Sequence, residues 1–396
     1  MLRLSPRNAW IGAQSNHPCA VRLGRCLLLA VGASFWSLML LAQTSDSRTT
    51  TGSNDSWMAT TDLKSKDANP TRTVETFDQN GNRTIDNRAV QLRGSDGQFQ
   101  PYQDIETERM QVDGSTLRTI TRAFGRDSNG AKKLVQITEE EKHTLPSGDS
   151  NVVRITSSPD TNGRLQPVRR ELVEARNNGM GVEETNTTVM LSSINGGLAP
   201  VLKTQEIRKR GANDTIETRK TTLLPDGAGK WQVNEVVQAT ARQEGSNRTI
   251  EERISRRDFE GKLSEISRTV SKESETASGE NRKTVETYSV DVPGMPRDGK
   301  LHLVERATTN QRSSSTGEQI TQQQVEQLNP GDPAAGLRLS ISNTETVRSG
   351  DSGEQTTRTI QAGDANGTLG IVSVETTNSK KAPSRPVQQT PDATPR

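Results

Sequence analysis

Many segments of this chain set one aliphatic residue among Thr, Ser, Glu, Gln and Arg. Examples are Thr215-Ile216-Glu217-Thr218, Thr249-Ile250-Glu251-Glu252 and Thr284-Val285-Glu286-Thr287, with an earlier copy at Thr73-Val74-Glu75-Thr76. β-Branched residues and Thr suit a pleated, half-buried surface, so these segments read as strands. A second pattern pairs a Leu with an aliphatic three places on, at Leu165/Val168, Leu198/Val201, Leu263/Ile266, Leu301/Val304 and Leu369/Val372. Side chains alternate faces along a regular strand. The recurrence therefore predicts either apolar contacts on both faces or a β-bulge that restores one face.

Turn-forming glycines punctuate this text. Gly97, Gly130, Gly163, Gly196 and Gly229 recur at a period of about 33 residues, and Gly261, Gly299, Gly336 and Gly367 continue the series less regularly. An Asp often leads the turn, as in Asp127-Ser-Asn-Gly130, Asp160-Thr-Asn-Gly163 and Asp364-Ala-Asn-Gly367, with an earlier copy at Asp78-Gln-Asn-Gly81. Asp caps a turn through its side chain and Asn-Gly supplies positive φ. A second series, Gly114, Gly148, Gly181, Gly211, Gly245, Gly279, Gly317 and Gly353, falls between the first. Each repeat thus holds two turns and two strands.

Composition limits how such strands can be stabilised. After Gln43, Leu, Ile, Val and Phe make up roughly 18% of residues, under the ~20% level at which disorder becomes a serious reading. Ordering a residue costs about 1–2 kcal/mol of backbone entropy, and burying a large aliphatic returns about 1.5–3 kcal/mol. Ladder hydrogen bonds and cross-strand Thr–Thr and Arg–Glu pairs must contribute the rest. The expected fold is all-β. It is a repetitive antiparallel β-meander of about 16–19 long strands, in a twisted or spiralled, solenoid-like sheet with neighbour-only contacts. A membrane barrel fits less well, because stretches such as Lys262 to Thr276 show neither an apolar outer face nor aromatic girdles.

The ends differ from the middle. Cys26 to Ala42 is an apolar run behind Arg22 and Arg25, with the flank and length of a signal-peptide core. Residues 1–43 are therefore expected to be an export signal or N-terminal anchor, 44–69 a Ser/Thr/Asp-rich linker, 70–378 the repeat domain and 379–396 a Pro-rich disordered tail. The protein is expected to be secreted, periplasmic or at the cell surface. Cys19 and Cys26 both precede the expected cleavage point, which leaves the exported body without cysteine. Charge is balanced, with 51 Lys and Arg against 49 Asp and Glu. The short basic runs Arg208-Lys209-Arg210 and Arg256-Arg257 have acidic neighbours, so no nucleic-acid partner is expected.

Candidate chemistry is sparse. The histidines are His17, His143 and His302, and none lies in a nucleophile or metal motif. Glu139 to Glu141 and Glu183-Glu184 are the carboxylate clusters to test against a sugar-cleaving pair. The Asp-x-Asn-Gly turns lack the further carboxylate that a calcium loop needs. No catalytic, cofactor-binding or metal residue is assigned, and no cofactor is expected. The expected function is that of a non-enzymatic extracytoplasmic scaffold or interaction surface. The alternatives are an envelope polysaccharide-binding module and a largely disordered secreted linker. The expected partner is an unidentified protein or polysaccharide of the cell envelope, with membrane contact only through an uncleaved N-terminal segment.

Overall fold

The structure, a computed structural model, describes residues 56–381 except 180, 194–195, 213, 277–278, 296–297, 315, 330, 351–352 and 365–366. Residues 1–43, expected to be an export signal or N-terminal anchor, and most of the expected Pro-rich tail lie outside the described residues. Among the described residues there are twenty strands. They begin with β1 (Ser56–Ser65), β2 (Thr71–Asn80), β3 (Arg83–Arg93), β4 (Phe99–Gln111), β5 (Thr116–Arg126), β6 (Lys132–Thr144) and β7 (Ser150–Pro159). Next come β8 (Leu165–Asn177), β9 (Val182–Ser192), β10 (Leu198–Arg210), β11 (Ile216–Pro225), β12 (Trp231–Glu244), β13 (Asn247–Arg257) and β14 (Leu263–Glu275). The last are β15 (Asn281–Ser289), β16 (His302–Ser313), β17 (Gln319–Leu328), β18 (Leu337–Gly350), β19 (Gly353–Gly363) and β20 (Leu369–Lys381). Strand β1 lies inside the stretch 44–69 that reads as a linker, so Ser56–Ser65 belongs to the wall and not to a linker.

Each strand pairs antiparallel with its chain neighbours, and β1 also pairs with β20, from Trp57–Lys381 to Ser65–Ser373. The meander therefore closes on itself. This corrects the expectation of an open, solenoid-like sheet: all-β and antiparallel hold, but the molecule is a barrel. Twenty strands about 4.8 Å apart and tilted by about 35–45° make a ring roughly 40 Å across at the backbone. Side chains cannot meet across such a bore. Accordingly, no described large side chain is fully enclosed.

One rim carries the turns that follow odd-numbered strands, and most are built alike. Asp127 N–H donates to the Ala131 carbonyl, Gly130 N–H donates to the Asp127 carbonyl, and the Asp127 carboxylate accepts from Asn129 and Ala131 N–H. Asp160 repeats this with Asn162, Gly163 and Arg164. Gly130 has φ +79° and Gly163 φ +78°, a conformation that only glycine adopts without cost. Just inside this rim each odd–even pair from β3–β4 onward shifts register by one residue. The extra residue is Val168 between Pro167 and Arg169, Val201 between Pro200 and Leu202, and Ile266 between Glu265 and Ser267. The Leu-plus-three pattern is thus the mark of a bulge. Bulges bend a strand and strengthen its twist, which helps to curl the wall.

The chain ends of the barrel and the turns after even strands form the opposite rim. Asp78-Gln-Asn-Gly81 lies there and is not a copy of the Asp turn. Asp78 and Asn80 belong to β2, Asn80 is paired with Arg83, and Gly81 and Asn82 alone make the connection.

Candidate functional site

Register divides every strand into two rows. Of the eight buried strand residues, Ala59, Thr156, Glu171, Thr218, Ala239, Val325 and Arg358 belong to one row and Val236 alone to the other. In β17, Thr321 and Gln323 of that row are half-buried, whereas Gln322 and Gln324 of the other are exposed. The concave side of a closed wall crowds its side chains, so the more buried row faces the lumen.

The lumen wall is mixed in character. Thr121, Thr138, Thr156, Thr187 and Thr204 lie beside Val173, Val237, Ile250 and Val325, and charged residues occupy the middle of many strands. Arg154 stands between two acids, with Nη2 2.5 Å from Glu140 and Nη1 2.6 Å from Glu171. Arg169 also bonds Glu171, which is only 9% exposed. Glu206 is paired in register with Lys220. Near the closing seam Arg88 lies 3.4 Å from Glu75, and Arg358 is flanked in register by Glu345 and Glu375. Burial raises the carboxyls of Glu75, Asp86, Glu252 and Glu345 above the ordinary range. Glu252 Oε1 is buried without a hydrogen-bond partner, and the nearby Glu235 adds to its shift.

The outward row is just as polar. Arg122, Glu139, Arg170, Glu184, Arg219, Glu251, Arg268 and Arg306 lie along it. Three of its aromatics near the Asp-turn rim lie under cations: Arg72 over Phe99 at 4.4 Å, Lys132 over Phe124 at 4.0 Å and Lys203 over Trp231 at 4.6 Å. A single Arg or Lys turned to the middle of a bilayer costs about 2–4 kcal/mol. Each such charge on the outer row therefore adds to the cost of setting this wall in hydrocarbon.

The candidate groups named from the sequence do not converge. Glu140 faces the lumen while Glu139 and Glu141 face outward, and Glu183 and Glu184 divide in the same way. Adjacent carboxylates on a strand point to opposite sides of the wall, so neither cluster forms a catalytic pair. Arg208-Lys209-Arg210 and Arg256-Arg257 alternate likewise. His143 Nδ1 lies 3.2 Å from Thr116 Oγ1 on the outer wall, and His302 lies 3.5 Å from Asp298. His17 is outside the described residues. No group of three or more His, Cys, Asp or Glu that could hold a metal ion occurs among the described residues. The lumen row, which sequence reading did not isolate, is what closure brings together.

No protein-family model matches the chain, and no curated protein matches it. Several solved structures are similar in part. The siderophore receptor PirA from Pseudomonas aeruginosa overlaps with a TM-score of 0.39 at 10% identity, covering 83% of this chain and 80% of that one. The copper transporter OprC gives 0.31 at 9% identity over 84% and 73%. A loop-deletion form of OmpT, an outer membrane protein of Vibrio cholerae, gives 0.25 at 9% identity over 83% and 97%. These partial overlaps describe shape only, and closure of this chain rests on its own strand pairings.

Closure overturns the functional expectations. Both the scaffold and the polysaccharide-binding expectation were built on an open polar sheet. Here one face is enclosed and the edge strands are joined to each other. A disordered linker is excluded by the twenty paired strands.

Proposed function

We propose that this chain forms a polar-walled conduit of the cell envelope, a tube through which hydrophilic solutes or segments pass without covalent change. The observation that carries the reading is the β1–β20 pairing, which turns a meander into a wall around an enclosed space. The bore inside the side chains is roughly 25 Å, and barrels near this strand number enclose either water or a plug. Thr, Glu, Gln and Arg on the lumen row support a wetted interior. The apolar run Cys26 to Ala42 supports an envelope address. The charged outer row supports a tube standing in an aqueous or protein-lined space instead of hydrocarbon.

The test uses the lack of cysteine after Cys26. Single cysteines are placed at Thr187, on the lumen row, and Thr188, on the outer row, and treated with thiol reagents of increasing size. A conduit predicts that both sites react with small reagents and that only the outer one reacts with bulky polymer-linked maleimides. Equal reaction of both sites with every reagent overturns the reading. Flotation with lipid vesicles and solute leakage through them would move the same tube into a membrane.

A further inference from the structure

We propose that Asn80 is an intrinsic deamidation site, set apart from the other described Asn-Gly sequences by its turn. Four such pairs are described: Asn80-Gly81, Asn129-Gly130, Asn162-Gly163 and Asn178-Gly179. The reaction needs the glycine backbone nitrogen as nucleophile. That nitrogen attacks Cγ of the asparagine, the side-chain amide nitrogen leaves as ammonia, and a five-membered imide forms. Water then opens the imide at either carbonyl, giving aspartate or isoaspartate. Nothing is oxidised or reduced and no cofactor takes part.

In three of the four pairs the nucleophile is engaged. Gly130 N–H donates to the Asp127 carbonyl at 2.9 Å and Gly163 N–H to the Asp160 carbonyl at 3.0 Å. Gly179 N–H donates to Asn177 Oδ1 at 3.0 Å. Each bond holds the proton that must be lost and fixes the peptide plane. At Gly81 the connection is only two residues long. Gly81 has φ +58°, and among the described residues its N–H has no acceptor. Asn80, Gly81 and Asn82 are all exposed, and a Cβ at Gly81 would meet nothing within 4 Å, so water reaches the imide. The four-residue text Asp-x-Asn-Gly therefore has opposite reactivity at the two rims. The Asp turn guards its glycine nitrogen, and the tight hairpin between β2 and β3 leaves it open. Conversion adds a negative charge at the rim where β1 begins and β20 ends, and the isoaspartate form adds one atom to the hairpin backbone.

The experiment incubates the folded protein at mildly alkaline pH. Peptide mapping then follows the small mass gain when an amide nitrogen is exchanged for oxygen. Asn80 is expected to convert several-fold faster than Asn129, Asn162 and Asn178, and the four rates are expected to draw together in denaturant. An Asn80→Gln variant should lose the fast event without losing the β spectrum. Equal rates in the folded protein, or conversion at a guarded pair first, would overturn the proposal.

Discussion

Glu252 is held in the lumen wall with one carboxylate oxygen unbonded and Glu235 nearby. Its carboxyl, like those of Glu75, Asp86 and Glu345, binds a proton more tightly in the barrel than in the unfolded chain. Stability from these four groups is therefore complete in acid, below the ordinary carboxylate range. It is lost as pH rises through their raised values. Glu252→Gln removes one of them and should raise the melting temperature at neutral pH while changing little near pH 4, as thermal melts across pH would show. Asp113 has the opposite sign. Hydrogen bonds from Ser115 and Thr116 lower its carboxyl to about 2, so its contribution is lost only as pH falls through that value. Among apolar residues, Val325 is 5% exposed on the lumen row. Val325→Ala should cost about 1.5 kcal/mol in urea unfolding, the value of the buried methyl groups removed. The sequence shows no sign of these environments. Aliphatic and charged residues occupy both rows of most strands, so alternation by two could not say which row was enclosed.

At the level of the hairpin the text was more legible. Turn glycines, Asp caps and the Leu-plus-three spacing are local signals, and they located most turns and offered the bulge as one of two readings, because a few neighbouring residues determine both. The exception is instructive. Asp78-Gln-Asn-Gly81 carries the same letters as the Asp turns, yet its place at the end of an even strand gives it a two-residue connection. Strand β1 was also missed, because Ser-Trp-Met-Ala-Thr-Thr-Asp-Leu-Lys-Ser lacks the alternation of its later counterparts. Two glycines illustrate two different reasons for having no side chain. Gly163 has φ +78° with open space around it, so Gly163→Ala should cost about 1–2 kcal/mol, the strain of the left-handed backbone alone. Gly353 has φ +135° and packs against the Ser379 carbonyl of β20. A methyl group there meets backbone, so Gly353→Ala should cost clearly more and broaden the unfolding transition. Chemical denaturation of the two variants side by side tests the order.

For the whole molecule, the joining of β1 to β20 was not readable. It brings Ser56–Ser65 against a segment more than three hundred residues away, and no local pattern announces it. Closure follows from twist and register summed over every hairpin, a quantity that only the assembled wall possesses. It can be tested directly. Thr61 and Thr377 are register partners with hydroxyls 2.9 Å apart. Partners in an antiparallel pair have Cα atoms about 4.5–5.5 Å apart, within reach of a disulfide. Thr61→Cys with Thr377→Cys should cross-link under mild oxidation and stabilise the barrel by about 3–5 kcal/mol. Failure to cross-link in the folded protein would argue that the seam is open.

The two rims give this architecture a further property. Each odd–even hairpin returns the chain to the rim it left, and the last strand ends beside the first. The calibre of the tube is consequently an integer, fixed by how many hairpins the gene encodes. Each one inserts or removes roughly 12 Å of girth, or about 4 Å of width. Duplication or loss of a single repeat would regauge the tube in one step and leave every local turn, bulge and pairing rule intact.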